Sequence, residues 1–94
     1  MAVTVRFIGS LRASLKKSEL SLVVKKPLSL KRFMEIIIKK NPKLETALIS
    51  PELNDPRLNT LILVNGKEIS VLNGMNTVLK DGDELTIVPV VHGG

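Results

Sequence analysis

The 94-residue sequence contains no cysteine, no tryptophan and no tyrosine, and its only histidine is His92. Without cysteine the chain can form no disulfide, no thiol nucleophile and no cysteine-based zinc site. A general base needs a partner and a zinc site needs three or four ligands, and neither is visible near His92. These absences exclude most side-chain catalysis and fit a reducing, cytoplasmic compartment.

Long apolar runs are also missing. The longest have four or five residues, whereas a helix that crosses a bilayer needs ~20. The first residues have the alternation of a strand, so we expect no signal peptide. The sequence therefore predicts a protein without membrane attachment.

Aromatic residues are scarce although basic residues are abundant. Lysine and arginine number 14 against 9 acidic residues, which gives a net charge of +5. Proteins that bind single-stranded nucleic acid usually stack bases on aromatic side chains, but only Phe7 and Phe33 are present, both at core-like positions. We therefore expect no nucleic-acid binding. A basic binding module whose C-terminal tail takes part in no reaction remains an alternative to the functions described below. Attraction to an acidic partner protein stays open.

Alternation and helical spacing predict the first half of the fold. Val3, Val5 and Phe7 alternate with polar residues, which indicates a half-buried strand. A similar pattern over residues 19–26 predicts a second strand, joined to the first as a hairpin. Ser29 is placed as the N-cap of a helix over residues 30–40.

The second half contains two clear strands. Residues 61–64 form one, and the following Asn65-Gly66 pair predicts a two-residue hairpin with a return strand over residues 67–70. Residues 85–91 form the last strand, which is apolar on both faces and is therefore expected in the centre of the sheet. Between helix and strand, Leu44, Ala47 and Leu48 are spaced for one more helical turn.

This order of elements predicts an α+β roll in which one helix packs on a mixed sheet. The acidic segment over residues 81–84 resembles a carboxylate cluster, but it lacks the regular ligand spacing and the distal glutamate that a calcium loop needs. A turn between two strands is favoured there.

The chain ends in Gly93-Gly94, which makes the terminal carboxylate its most distinctive reactive group. Glycines have no Cβ, so this segment can enter a narrow cleft and adopt backbone angles closed to other residues. Such a carboxylate suits activation by another enzyme. Its attack on the α-phosphate of ATP would give an acyl-adenylate, which a sulfur or nitrogen nucleophile could open.

Three segments, residues 61–66, 79–85 and 89–94, resemble the MoaD/ThiS-like ubiquitin-like sulfur carriers. This family includes the small subunit of molybdopterin synthase, the thiamine-pathway sulfur carrier and the archaeal ubiquitin-like modifiers, and the sequence is most similar to the molybdopterin branch. The resemblance implies one β-grasp domain over residues 1–94. It also implies a mixed sheet of four to five strands, one main helix on one face, a central C-terminal strand and an extended tail over residues 89–94.

The resemblance further implies how the tail would work. An E1-like adenylating enzyme would use ATP and a sulfur donor to convert the Gly94 carboxylate into a thiocarboxylate. The tail residues are Pro89, Val90, Val91, His92 and Gly93. A large molybdopterin synthase subunit would receive this tail in a heterotetramer, and the chain itself would bind no cofactor or metal and contribute no catalytic side chain. The alternatives are a ubiquitin-like modifier joined to lysines of target proteins, or a sulfur carrier for thiamine synthesis or tRNA thiolation.

The last strand also predicts a surface for partners. If Leu85 and Ile87 face the core, Thr86, Val88 and Val90 face outward. Ile8 would join them from the first strand, together with either Leu63 or Val64. We expect these residues to form an exposed apolar docking face beside the tail.

Overall fold

The computed structural model describes residues 2–9, 12, 16, 18–44 and 60–89. The strands are β1 (Ala2–Phe7), β2 (Glu19–Val23), β3 (Leu28–Ser29), β4 (Thr60–Val64), β5 (Lys67–Glu68), β6 (Val78–Leu79) and β7 (Glu84–Pro89), the main helix is α1 (Leu30–Lys40), and short 3-10 helices lie at Ile69–Val71 and Gly74–Asn76. In this part of the chain no helix is long and apolar enough to cross a bilayer.

The main sheet has five strands in the order β2-β1-β7-β4-β5, and β3 and β6 form a separate pair. β7 lies parallel to β1, with Val5 opposite Leu85, and antiparallel to β4, with Ile62 opposite Ile87. The last strand is therefore central, as its two apolar faces predict. The mixed five-stranded sheet with one main helix confirms the α+β, β-grasp expectation.

Local sequence signals set both ends of α1. The Ser29 hydroxyl accepts a hydrogen bond from the backbone N–H of Arg32 at 3.2 Å, which confirms the predicted N-cap. At the other end the backbone N–H of Asn41 donates to the carbonyl of Ile37 at 2.9 Å. The helix therefore begins and ends where the sequence predicts.

The core lies between α1 and one face of the sheet. The helix contributes four buried side chains, those of Leu30, Phe33, Met34 and Ile37. The strands contribute buried residues at alternate positions, namely Val3, Val5, Phe7, Leu22, Ile62, Val64, Leu85 and Ile87. Because successive strand residues point to opposite faces, the intervening residues occupy the other face, which we call the open face.

Three local features differ from the sequence prediction. The return strand β5 ends at Glu68, because the Glu68 carboxylate accepts a hydrogen bond from the N–H of Ser70 at 2.8 Å and caps a 3-10 helix there. β2 ends at Val23 rather than at residue 26. β3 and β6 have two residues each and were not predicted.

The structure also contains the predicted hairpin and a helical turn that begins before Leu44. Asn65 has φ of 51° and Gly66 has φ of 84°, the pair of positive values that a two-residue hairpin turn of this class requires. Leu44 is fully buried in a helical turn at residues 42–44. Ala47 and Leu48, assigned to the same turn, lie outside the described residues.

Candidate functional site

β7 is the element that leads to the tail. Pro89 is its last residue and lies opposite Thr60 of β4. Residues 90–94 lie outside the described residues, so the assignments to Val90, Val91, His92, Gly93 and Gly94 stay predictions. The candidate site is therefore built from the residues that surround the C-terminal end of β7.

An apolar surface borders this end of β7 on the open face. Leu61 lies opposite Val88, and Leu63 lies opposite Thr86. The N–H of Ile8 donates to the carbonyl of Ile87 at 3.1 Å, which keeps the chain beside β7 after β1 ends. We call the five residues of this surface the tail-side patch: Ile8, Leu61, Leu63, Thr86 and Val88.

The patch is partly exposed to solvent. Ile8 is 45% exposed and Leu61 is 39% exposed, and both are among the large apolar residues exposed at the surface. The side chains of Leu63, Thr86 and Val88 are partly buried against their neighbours. An exposed apolar group of this kind beside polar residues is typical of an interaction site.

The sequence predicted four of the five patch residues and left one choice open. Val64 is only 6% exposed and faces the core, so Leu63 is the member from β4. Leu61 was missed, although it lies two positions before Leu63 and therefore points to the same face. Strand alternation applied one step further would have found it.

A charged rim lies next to the patch on the same face. The Nε atom of Arg6 lies 3.4 Å from a carboxylate oxygen of Glu84 and 3.8 Å from one of Glu19. The side chain of Arg6 is 54% exposed, so solvent screens both ion pairs. An apolar centre beside a polar rim matches the usual anatomy of a protein interface.

The opposite end of β7 is held by side-chain hydrogen bonds. A carboxylate oxygen of Asp81 accepts from the N–H of Ala2 at 2.7 Å, and the N–H of Gly82 donates back to the carbonyl of Ala2 at 2.9 Å. One oxygen of Asp83 accepts from the N–H of Lys80 at 2.7 Å. The turn is thus joined both to itself and to the start of β1.

Asn65 connects the same turn to the end of β4. Its side-chain N–H donates to Asp83 at 2.9 Å, and its side-chain oxygen accepts from the N–H of Glu84 at 2.9 Å. The acidic segment is therefore a structural turn, as predicted. The described residues contain no group of three acidic or histidine side chains placed to hold a metal ion.

The tail-side patch offers binding rather than catalysis. Its side chains are four hydrocarbons and one hydroxyl, and none of them is a base or an activated nucleophile. Among the described residues at this end of β7, the patch therefore supplies contact surface and no catalytic group.

Comparison with known proteins identifies a protein family whose model matches nearly the whole chain. The family model described as "ThiS family" matches residues 5–94. No curated protein sequence matches the chain significantly.

Three solved structures combine the same fold with measurable sequence identity. Small archaeal modifier protein 1 from Methanosarcina acetivorans is 31% identical, with a TM-score of 0.78 over 99% of this chain and 96% of that one. Urm1 from Trypanosoma brucei is 27% identical, with a TM-score of 0.80 over 99% and 95% of the two chains. A chain of the complex between subunits 1 and 2 of molybdopterin-converting factor from Helicobacter pylori is 26% identical, with a TM-score of 0.63 and full coverage of both chains.

Proposed function

The chain belongs to the ThiS family of ubiquitin-like sulfur carriers, and from this premise we propose that the Gly94 carboxylate carries the sulfur. An E1-like enzyme adenylates this carboxylate, with pyrophosphate leaving ATP. Sulfide from a sulfur donor then attacks the acyl carbon of the adenylate, the C–S bond forms as AMP leaves, and a thiocarboxylate results. The chain contributes the carrier group and the docking surface, whereas the activating enzyme binds the ATP.

One observation supports this proposal above the others. The tail-side patch borders the point where the chain leaves the central strand of the sheet, next to Pro89. A partner that covers Ile8, Leu61 and Val88 would therefore lie within reach of the tail that follows Pro89. Residues 89–94, if extended, span about 20 Å, which is enough to enter the active site of a bound partner.

We assign the sulfur to molybdopterin synthesis, with the chain as the small subunit of molybdopterin synthase. The likeness to a chain from the molybdopterin-converting-factor complex of Helicobacter pylori supports this assignment. In this role the large subunit binds the tail-side patch, takes the tail into its own active site and forms a heterotetramer with two copies of the chain. The reaction takes place in the cytoplasm.

A second function is favoured by a specific similarity. The chain is 31% identical to a small archaeal modifier protein and 27% identical to Urm1. In this alternative the activated Gly94 carboxylate forms an amide bond with lysine side chains of target proteins. Sulfur delivery to thiamine synthesis or to tRNA uses the same activated terminus with a different acceptor.

Mass spectrometry of the intact protein tests the shared first step. The chain is incubated with its activating enzyme, ATP and a sulfur donor, and the expected product has one carboxyl oxygen replaced by sulfur. The matched control is the chain without Gly94, which is expected to stay unmodified while its thermal unfolding midpoint is unchanged. Sulfur exchange in the shortened chain, or none in the full chain, would refute the proposal.

A second experiment separates the carrier from the modifier. The thiocarboxylated chain is mixed with the large molybdopterin synthase subunit and the pterin precursor, and conversion to the dithiolene product is measured. In parallel, tryptic peptides of cell proteins are searched for lysines that carry residues 81–94, the remnant that trypsin leaves because Lys80 is the last basic residue of the chain. Conversion supports the molybdopterin assignment, whereas remnants without conversion support the modifier.

A further inference from the structure

A cleft lies between β2 and α1, on the helix side of the sheet. It encloses about 320 Å³. Its apolar surface comes from three residues at the sheet edge, from β3 and from α1, namely Leu22, Val23, Val24, Leu28 and Ile36. Leu28 and Ile36 are only partly buried against the core, so they offer apolar contact to a ligand. We call this site the β2 cleft.

Four cations surround the β2 cleft. Lys25 and Lys26 follow β2, and Arg32 and Lys40 lie on α1. Arg32 and Lys40 flank Ile36 at intervals of four residues, so all three share one stripe of the helix. The described residues of the lining include no acidic side chain, and Glu35, which pairs with Arg32 at 3.1 Å, lies outside it. The cleft is therefore apolar in the middle and positive around its rim.

The β2 cleft also borders a strand edge that is unpaired among the described residues. β2 is the outermost strand on its side of the sheet, and among the described residues only β1 pairs with it. The N–H of Phe7 donates to the carbonyl of Ser18 at 2.9 Å. Because the antiparallel ladder alternates, the backbone groups of Leu20 and Leu22 point toward β1. Those of Ser21 and Val23 point to the outer edge.

We propose that the β2 cleft binds an extended segment of a partner protein, with apolar residues flanked by aspartate or glutamate. The segment adds a strand beside β2 and forms backbone hydrogen bonds with Ser21 and Val23. Alternate side chains of the segment enter the cleft. Its flanking carboxylates meet Lys25 and Lys26 at one side and Lys40 at the other.

A peptide fits this site better than a nucleic acid does. None of the described residues that line the cleft is aromatic, so they give bases no side chain on which to stack. A free strand edge provides directional hydrogen bonds to another backbone, and the apolar floor suits aliphatic side chains. The positive rim selects an acidic peptide over a basic one.

The β2 cleft is separate from the tail-side patch. Val23 lies opposite Ala2 at the start of β1, whereas Ile8 follows the end of β1, about 20 Å further along the strand. The cleft lies on the helix side and the patch lies on the open face. A partner can therefore hold the β2 cleft while the patch and tail are engaged elsewhere, and this inference does not depend on the proposed function.

Fluorescence anisotropy tests the proposal with a labelled peptide in which a run of valine and isoleucine is flanked on both sides by aspartate and glutamate. We expect saturable binding, and we expect none for the same run flanked by lysine. The double variant Lys25→Gln/Lys40→Gln should bind roughly fivefold more weakly, because it loses two ion pairs. The control Lys31→Gln/Lys39→Gln removes the same charge from exposed positions of α1 outside the lining and should bind like the wild type.

The strand edge is tested by Ser21→Pro, which removes one outward N–H from an edge strand, where proline is tolerated, at a residue outside the lining of the cleft. We expect roughly tenfold weaker binding with an unchanged circular dichroism spectrum. Amide NMR of the wild-type chain gives a second readout, with the largest peptide-induced shifts expected at Ser21 and Val23. The proposal is overturned if the shifts map to the tail-side patch or if the two lysine double variants bind equally. It is also overturned if single-stranded oligouridylate binds the cleft and the acidic peptide does not.

Discussion

The two ends of β7 are built from different chemistry. At the start, Asp83 and Asn65 use their side chains to join the turn to the neighbouring strand. At the end, Ile8 and Leu61 place exposed hydrocarbon beside the strand. Hydrogen bonds at the first end are satisfied within the chain, whereas the apolar side chains at the second end remain partly exposed. The stabilising turn and the proposed docking surface therefore lie at opposite ends of one strand.

The largest effect is expected from a charge at the apolar end. Val88→Asp puts a carboxylate into the tail-side patch, where docking would leave it desolvated and unpaired. We expect affinity for the activating enzyme to fall by about 2 kcal/mol, or roughly 30-fold. Isothermal titration calorimetry measures this loss.

The matched control is Val78→Asp, since Val78 is 50% exposed on β6, outside the main sheet. It adds the same charge to a strand without touching the patch, and it should bind like the wild type. Equal losses for both variants would mean that charge alone, rather than the patch, governs docking.

A stability effect of the next size is expected at the polar end. Asp83→Ala removes the acceptor for the N–H of Lys80 and for the side chain of Asn65. We expect the free energy of unfolding to fall by about 1.5 kcal/mol, and the thermal midpoint by roughly 8 °C. Differential scanning calorimetry gives both values.

The comparison variant is Asp81→Ala, which removes one hydrogen bond, to Ala2, and should cost about half as much. Sulfur loading of Gly94 should persist in both variants at temperatures where they are folded. A docking defect in Asp83→Ala would show that the two ends of β7 are not independent.

A smaller effect is expected from the turn backbone alone. Gly82 has φ of +84°, and a Cβ added there would meet no atom within 4 Å. Gly82→Ala should therefore cost about 1 kcal/mol of backbone strain without a clash. Urea unfolding measures this difference. Gly82→Asn should lower the free energy of unfolding by less, because asparagine tolerates the left-handed region. An equal loss would mean that contacts of the side chain, rather than the backbone angle, determine the cost.

The smallest effect is expected from the exposed charges between the two ends. Arg6→Gln removes the ion pairs with Glu84 and Glu19, whose side chains are about half exposed. We expect less than about 0.5 kcal/mol of lost stability, measured by urea unfolding at low and high salt. A loss well above 1 kcal/mol would show that Arg6 takes part in holding the sheet together.

The spacing of apolar residues along the sequence made much of this fold predictable. Val3, Val5 and Phe7 alternate because one face of β1 covers the core, and Ser29 begins α1 because its hydroxyl satisfies an N–H that the helix leaves free. The apolar residues on both faces of β7 predicted its central place in the sheet. These signals lie in neighbouring residues, so they can be recognised in the sequence without knowledge of tertiary contacts.

Other features depend on contacts that periodicity does not encode. β3 and β6 are two-residue strands formed by pairing across distant segments, as Leu28 with Leu79. Ser70 was assigned to a strand, but the capping by Glu68 diverts the chain. At the site, alternation predicted the patch in outline, whereas the choice between Leu63 and Val64 needed the strand register.

The parallel pairing of β1 with β7 has a consequence for how the molecule is made. β7 joins β1 to β4, so the β1–β2 hairpin and the β4–β5 hairpin have no common sheet until β7 is added. During synthesis on the ribosome this strand emerges after all the others. Pairing β7 with β1 closes a long loop of chain and therefore costs conformational entropy. The complete sheet thus assembles late and cooperatively. A nascent chain released before β7 has emerged would thus hold two separate hairpins in place of one continuous sheet.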